Sequence, residues 1–155
     1  MAKPVYGPTG IEMHGHVTVT LYGPDGQIKD QRSGHNIITT DGKDFLASFL
    51  KSAAAAASTF TAKYVAIGTD STAETVANTT LGIEVSRHTA TVSYVSGGIT
   101  RFVATFATGS GTGAIVEYGL LSSNTAGTLI GRHTSAVVNK GASDTLTVTY
   151  DVTFS

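Results

Sequence analysis

The chain contains no cysteine, which excludes disulfide staples and thiolate metal sites together. A secreted domain of this size often relies on disulfides, so their absence favours assembly in a reducing cytoplasm. Charge is also scarce. Asp, Glu, Lys and Arg make up 14% of the 155 residues, and the formal net charge is −1. A monomer that must stay soluble usually carries more charge than this. No basic stripe supplies the electrostatic footprint of a nucleic-acid binder. No segment approaches the roughly 18 to 20 apolar residues of a membrane helix. Met1-Ala2-Lys3-Pro4 leads into no apolar run of signal-peptide length. The expectation is a protein made and retained in the cytoplasm, with no membrane and no nucleic acid among its partners.

What is present is Gly, Thr, Ser and Ala around short apolar alternations, in a chain long enough for one domain with its own core. Residues 1–13 hold two of the three prolines, Pro4 and Pro8, and read as an extended N-terminal arm. Residues 14–155 read as a single β-rich domain. Val17, Val19 and Leu21 alternate with Thr18 and Thr20, the two-residue period of a half-buried strand. Gly23-Pro24-Asp25-Gly26 is a turn, and Gln27 to Gly34 returns as a polar strand. One helix is predicted over about Asp41–Ala57, capped by Thr40 or Asp41, with Phe45, Leu46, Phe49 and Leu50 at helical spacing and an alanine run behind them.

From Tyr64 onward the period is β. Tyr64-Val65-Ala66-Ile67 is a buried strand ending at Gly68, and Thr69 to Thr80 is a polar loop. His88, Ala90, Val92 and Tyr94 alternate towards Gly97-Gly98, with Phe102, Ala104 and Phe106 alternating after it, so the two segments form a hairpin. Ile115–Leu121, Leu129–Val138 and Leu146–Phe154 complete the strands. The fold class is therefore mainly β, an antiparallel sandwich or barrel with one helix and an extended arm.

Few residues invite catalytic chemistry. The Gly109–Gly113 cluster lacks the Lys-Ser/Thr and the following helix of a phosphate loop. Ser110 lacks the glycine two positions earlier that a nucleophile elbow requires. His14 and His16, with Glu12 as a third candidate, have a spacing that can hold a transition metal, although solvent-facing histidines on an edge strand explain them as well. Asn78-Thr79-Thr80 matches a glycosylation sequon without a secretory context. No catalytic residue, metal or cofactor is assigned, and an enzyme is not expected.

The informative charges are Glu84, Arg87, Glu117 and Arg132, each inside or beside an apolar or small-residue strand. An unpaired buried charge is costly, so structural Glu–Arg pairing outweighs a catalytic Glu beside an Arg clamp. Tyr6, Tyr22 and Tyr118 are candidate interface anchors, with core packing as the alternative for each. Tyr64 and Tyr94 would be the stacking platforms of a carbohydrate-binding sandwich.

The same strands carry a resemblance. Asn36 with a helix after it, Tyr64-Val65-Ala66-Ile67-Gly68-Thr69 and Leu81-Gly82-Ile83-Glu84-Val85-Ser86-Arg87 come in that order. Phe102 to Phe106, Glu117-Tyr118-Gly119-Leu120-Leu121, Leu129-Ile130-Gly131-Arg132 and Leu146 to Phe154 follow. From about Gly15 to Ser155 the series resembles small structural virion proteins of tailed bacteriophages. The resemblance implies a capsid cement (decoration) protein that binds the assembled shell as a homotrimer, with the major capsid protein as partner. A tail or tail-fibre attachment protein is the alternative. The implied location is the capsid surface, after assembly in the host cytoplasm, with no small-molecule substrate. As a cement protein its arm, through Lys3, Pro4, Val5, Tyr6, Pro8 and Ile11, would add as a strand to an exposed edge of the shell or of a sister subunit.

Overall fold

The computed structural model describes residues 12–51 and 63–155. The element order is β1 (Met13–Tyr22), β2 (Ile28–Ile38), α1 (Thr40–Lys51), β3 (Tyr64–Gly68), β4 (Glu84–Thr89) and β5 (Thr91–Tyr94). It continues with β6 (Ile99–Phe106), β7 (Gly113–Leu121), β8 (Leu129–Lys140) and β9 (Thr145–Phe154). The protein is mainly β, and its nine strands run β4-β3-β7-β8-β2-β1-β9-β6-β5 with every described pairing antiparallel.

The two ends of that order, β4 and β5, are separated in the chain by Ala90 alone. A single extended segment therefore belongs to both edges: its first half pairs with β3 and its second half with β6. β2 turns the opposite corner, pairing with β1 along most of its length and with β8 through Ile37 and Ile38. Two shared strands curl the sheet into a nearly closed barrel. Closure of this kind is how β architectures remove most of their free edges.

Local chemistry explains the hairpins. At the β1–β2 turn the Gly26 N–H donates to the Gly23 carbonyl at 2.9 Å, and the Asp25 carboxylate accepts the Gln27 N–H at 3.0 Å. At the β5–β6 turn Gly97 and Gly98 both have positive φ, 55° and 79°. That is the backbone twist a two-residue hairpin requires and that residues with a Cβ resist. The Ile99 N–H closes the turn onto Ser96 at 3.0 Å.

The core follows from the alternation. Val17, Val19 and Leu21 of β1 face Leu146, Val148, Tyr150 and Val152 of β9, with Phe102, Ala104 and Phe106 of β6 beside them. Val65, Ile67, Ile115, Tyr118, Leu120, Ile130 and Val138 supply the opposite wall. A second cluster, Ala66, Leu81, Leu121 and Leu129 with Tyr64 against it, lies on the outer face of that wall. Leu81 belongs to the segment between β3 and β4, so this segment folds back over the barrel.

Several boundaries differ from those the sequence predicts. Met13 opens β1, and Glu12 exchanges backbone hydrogen bonds with Ser155 at 2.7 and 3.0 Å, so the sheet begins inside the predicted arm. β2 extends four residues past Gly34, because its end has β8 as a second partner. The helix begins at Thr40, and Thr39 caps it: its hydroxyl accepts the Gly42 N–H at 2.9 Å while donating to the Leu129 carbonyl. The predicted helix residues 52–57 lie outside the described residues. The alternation from His88 to Tyr94 is not one strand with one partner; at Ala90 the partner changes from β3 to β6.

α1 seals one end of the barrel through Phe45 and Leu46, which pack against the core. The helix approaches β8 closely: a Cβ on Gly42 would lie 2.4 Å from the Ile130 carbonyl oxygen and 2.7 Å from its Cα. Gly42→Ala should therefore destabilise the fold by about 1–3 kcal/mol through overpacking, although alanine gains up to about 1 kcal/mol in helix propensity. Urea denaturation reads the sign. A more stable variant would show that α1 is not seated on β8.

Candidate functional site

Glu117 lies on β7 and Arg132 on β8, on the outer face of the barrel wall, and both are buried. The Arg132 Nε and one terminal nitrogen donate to Glu117 Oε2 at 3.0 and 2.8 Å. Glu117 also accepts three backbone N–H groups, from Asp70 at 3.2 Å, Gly82 at 2.9 Å and Ile83 at 2.8 Å. The other guanidinium protons go to the Thr72 carbonyl, Asn78 Oδ1 and Asp70 Oδ2, at 3.0, 3.3 and 3.3 Å. Every group outside the pair itself belongs to the segment between β3 and β4. The pair is a clasp that pins this segment across the barrel, and its contacts are taken up by the backbone and side chains of that segment. Asn78, the sequon residue, is part of it and also accepts the Thr75 N–H at 2.7 Å.

Glu84 and Arg87 form a second, separate pair. Arg87 binds both Glu84 oxygens at 2.9 and 2.6 Å, and its other terminal nitrogen donates to the Ser123 and Ala126 carbonyls at 2.7 and 2.8 Å. It ties β4 to the β7–β8 turn. The sequence marks all four of these charges, and the structure distributes them over two independent sites.

The remaining candidates are placed as follows. His14 contacts Glu12 at 3.2 Å, and His16 meets His35 edge-on with ring centroids 5.6 Å apart. Among the described residues no group of three or more His, Asp or Glu is positioned to hold a metal ion. Ser110 Oγ lies 2.9 Å from His88 Nε2 and 3.3 Å from Ser86 Oγ, a proximity that the spacing of those residues in the chain did not signal. The His88 ring packs at 4.6 Å from Phe106. Among the described residues no carboxylate bonds His88 to orient it as a base, so this contact fastens the β6–β7 loop to β4. Tyr118 is in the core, where burial pushes its hydroxyl pKa up to about 12. The Tyr150 hydroxyl donates to the Tyr118 carbonyl at 2.6 Å. Tyr22 is half-buried. Tyr64 packs on the outer cluster, whereas Tyr94 shares a face with Phe102, so the two do not form one stacking platform. An apolar cavity of about 70 Å³, lined by Leu46, Phe102, Leu120, Ile130, Val152 and Phe154, lies under α1. It is well below the roughly 300 Å³ at which small-molecule pockets begin. Lys3, Pro4, Val5, Tyr6, Pro8 and Ile11 lie outside the described residues.

The surface feature that sequence reasoning missed is β5. All four of its residues are exposed, with Val92 at 44% and Tyr94 at 72%, and none is charged. Ile83, Val85 and Val95 are exposed as well, but Ser86 to Thr91 separate the first two from β5, and Val95 lies on the face opposite Val92 and Tyr94. Alternation places Val92 and Tyr94 on one face of a strand, but does not tell that both faces of this strand are exposed.

No protein-family model matches the chain, and no curated protein or solved structure matches it.

Two predictions follow from these contacts. Arg132→Met strands a buried carboxylate and should cost about 3–5 kcal/mol. Arg87→Met, at the more exposed pair, should cost about 1 kcal/mol. Equal losses in chemical denaturation would contradict this ranking. The second concerns His133, whose imidazole burial holds below its ordinary value against the opposing pull of Glu74, 3.6 Å away. The unfolded chain then binds the proton more readily than the fold does, so this contribution is present above the ordinary value of 6.5 and declines as pH falls below it. Melting temperature should drop between about pH 7 and pH 5.5, with a smaller drop in His133→Gln. Identical pH profiles would remove His133 from the account.

Proposed function

We propose that this chain is a structural subunit of a tailed-bacteriophage particle: a capsid cement protein that binds the assembled shell as an oligomer and stabilises it. The order of strand sequences from Gly15 to Ser155 supports the virion class. The observation that carries the binding role is β5, an exposed, uncharged strand at a sheet edge. Soluble proteins usually blunt such edges with charge or proline, and this one carries neither.

A protein that binds the assembled shell and not its free subunits stabilises the shell by mass action. Its partners on this reading are the major capsid protein and further copies of itself in a homotrimer, at the outer surface of the capsid. The arm would extend across a neighbour and contribute main-chain hydrogen bonds. No small molecule, nucleic acid or membrane enters the mechanism, and the proposed protein is not an enzyme.

Sedimentation with purified shells tests the proposal. The chain should pellet with expanded shells and raise their melting temperature, and a chain lacking residues 1–11 should bind more weakly while folding normally. Recovery with isolated tails and not with shells would replace cement by the tail-attachment reading. Recovery with neither would end the virion proposal.

A further inference from the structure

We propose that Asp25–Gly26, in the β1–β2 turn, is a site of spontaneous covalent modification: the chain isomerises there to isoaspartate, while the same dipeptide at Asp41–Gly42 is protected by the fold. The proposal concerns the chain's own backbone chemistry and does not depend on what the chain binds.

The reaction needs only water. The Gly26 amide nitrogen attacks the Asp25 carboxyl carbon, Cγ. A C–N bond forms, the amide proton and the carboxyl hydroxyl leave together as water, and a cyclic imide remains. Solvent water then opens the imide at one of its two carbonyls. Cleavage between Cγ and the nitrogen restores aspartate. Cleavage between the Asp25 main-chain carbonyl carbon and the nitrogen leaves the chain running through Cγ, with the former main-chain carbonyl as the free carboxylate. One water is lost and one regained, so the mass is unchanged and nothing is oxidised or reduced.

A following glycine favours the attack, because no Cβ crowds the nitrogen and the backbone turns freely. Among the aspartates only Asp25 and Asp41 precede a glycine, and no asparagine does. Asp70 precedes the small Ser71, but its carboxylate is held by the Thr72 N–H and hydroxyl at 3.1 and 2.8 Å and by Arg132 at 3.3 Å. The sequence therefore nominates two sites, and the structure separates them.

At Asp25 the geometry leads towards the imide. Its Oδ1 accepts the Gln27 N–H at 3.0 Å. The ring closed by that bond runs through the Gly26 peptide, so the carboxyl group is already folded towards the nitrogen it must meet. Both residues are exposed, and no heavy atom lies within 4 Å of where a Gly26 Cβ would stand. One hydrogen bond opposes the attack, from the Gly26 N–H to the Gly23 carbonyl at 2.9 Å. It sits in an exposed turn, where local opening costs least. The product adds one atom to the backbone of this turn and takes the carboxylate from the Gln27 N–H, which loosens the end of the hairpin.

At Asp41 every one of these conditions is reversed at the nitrogen. The Gly42 N–H donates to the buried Thr39 hydroxyl at 2.9 Å, and the next N–H, of Lys43, donates to the Thr39 carbonyl at 3.1 Å. Gly42 is buried against β8, where its Cβ position is 2.4 Å from the Ile130 carbonyl oxygen. Turning the Asp41 peptide into an imide breaks the cap and drives the main chain into β8. The first turn of α1 must unwind before the ring can close.

The test ages the intact chain at neutral pH and physiological temperature in water enriched in heavy oxygen, followed by digestion and peptide mapping. Imide opening incorporates the heavy oxygen, and fragmentation across the residue distinguishes isoaspartate from aspartate. Label and isoaspartate at Asp25 should exceed those at Asp41 by about tenfold or more. In urea, where both dipeptides are unfolded, the two sites should react at comparable rates. Thr39→Ala removes the cap and should raise labelling at Asp41 alone. Equal labelling in the folded chain, label at Asp25 that appears only in urea, or a tenfold difference that persists in urea would each overturn the proposal. So would unchanged protection of Asp41 in a folded Thr39→Ala chain.

Discussion

The carboxylate of Glu117, sealed from water on the outer wall of the barrel, is the constraint on which the local architecture turns. A lone charge there would carry a desolvation penalty of several kcal/mol. Arg132 neutralises it, and hydrogen bonds to charged groups contribute about 1.5–3 kcal/mol each. Three of those bonds come from the backbone of residues 70, 82 and 83. The charge therefore determines where the segment between β3 and β4 must lie, and with it the position of Leu81 over the outer apolar cluster. A hydrophobic residue at position 117 would avoid the desolvation, but it would leave the N–H groups of Gly82 and Ile83 without their acceptor.

That clasp has a consequence at the opposite side of the same segment. Ile83 and Glu84 lead directly into β4, and β4 continues through Ala90 into β5. Fixing the segment fixes the start of the strand that closes the barrel. Closure is nevertheless incomplete. The segment pairs with β3 up to Ala90 and with β6 beyond it, so each half leaves one side unpaired within the ring. Beside β4 that open side is occupied by the β6–β7 loop, held by Ser110 on His88 and Ser86. Beside β5 no described strand fills it. The exposure of the four uncharged β5 side chains is thus a by-product of how this barrel closes.

The sequence reveals these features unequally, for physical reasons. Strands β1, β6 and β9 are legible because each has one face in the core along its whole length, so burial prints directly as alternation. The bend at Ala90 leaves no such mark. Both halves of the segment keep the same parity, and only the partner changes, which is a long-range fact. Glu117 and Arg132 stand out because charge is rare in apolar strands, but the N–H groups that Glu117 accepts come from residues 34 to 47 positions away, in a stretch with no periodicity. The helix cap belongs to Thr39 and not to Thr40 or Asp41 because β8 offers the Thr39 hydroxyl a second partner. Propensity ranks such neighbours almost equally, and tertiary contact decides among them.

The distribution of positive charge bears on what kind of association this surface can support. Each arginine, Arg32, Arg87, Arg101 and Arg132, is paired with a carboxylate of the same chain, at Asp30, Glu84, Asp151 and Glu117. Lys29 is paired with Asp144, and the buried Lys140 ammonium donates to the Ala107 and Asp144 carbonyls. Among the described residues most arginine and lysine charge is thus committed within the chain, which leaves little of it to steer a charged partner over long range. On the proposed binding role, recognition would come from contacts that work at short range, chiefly the exposed apolar side chains of β5. Such contacts are weak one at a time and insensitive to salt. They gain strength when many copies are held at fixed spacing, where each further contact becomes effectively intramolecular. A repeating scaffold supplies that condition, which is why the proposed cement role is compatible with so little free charge.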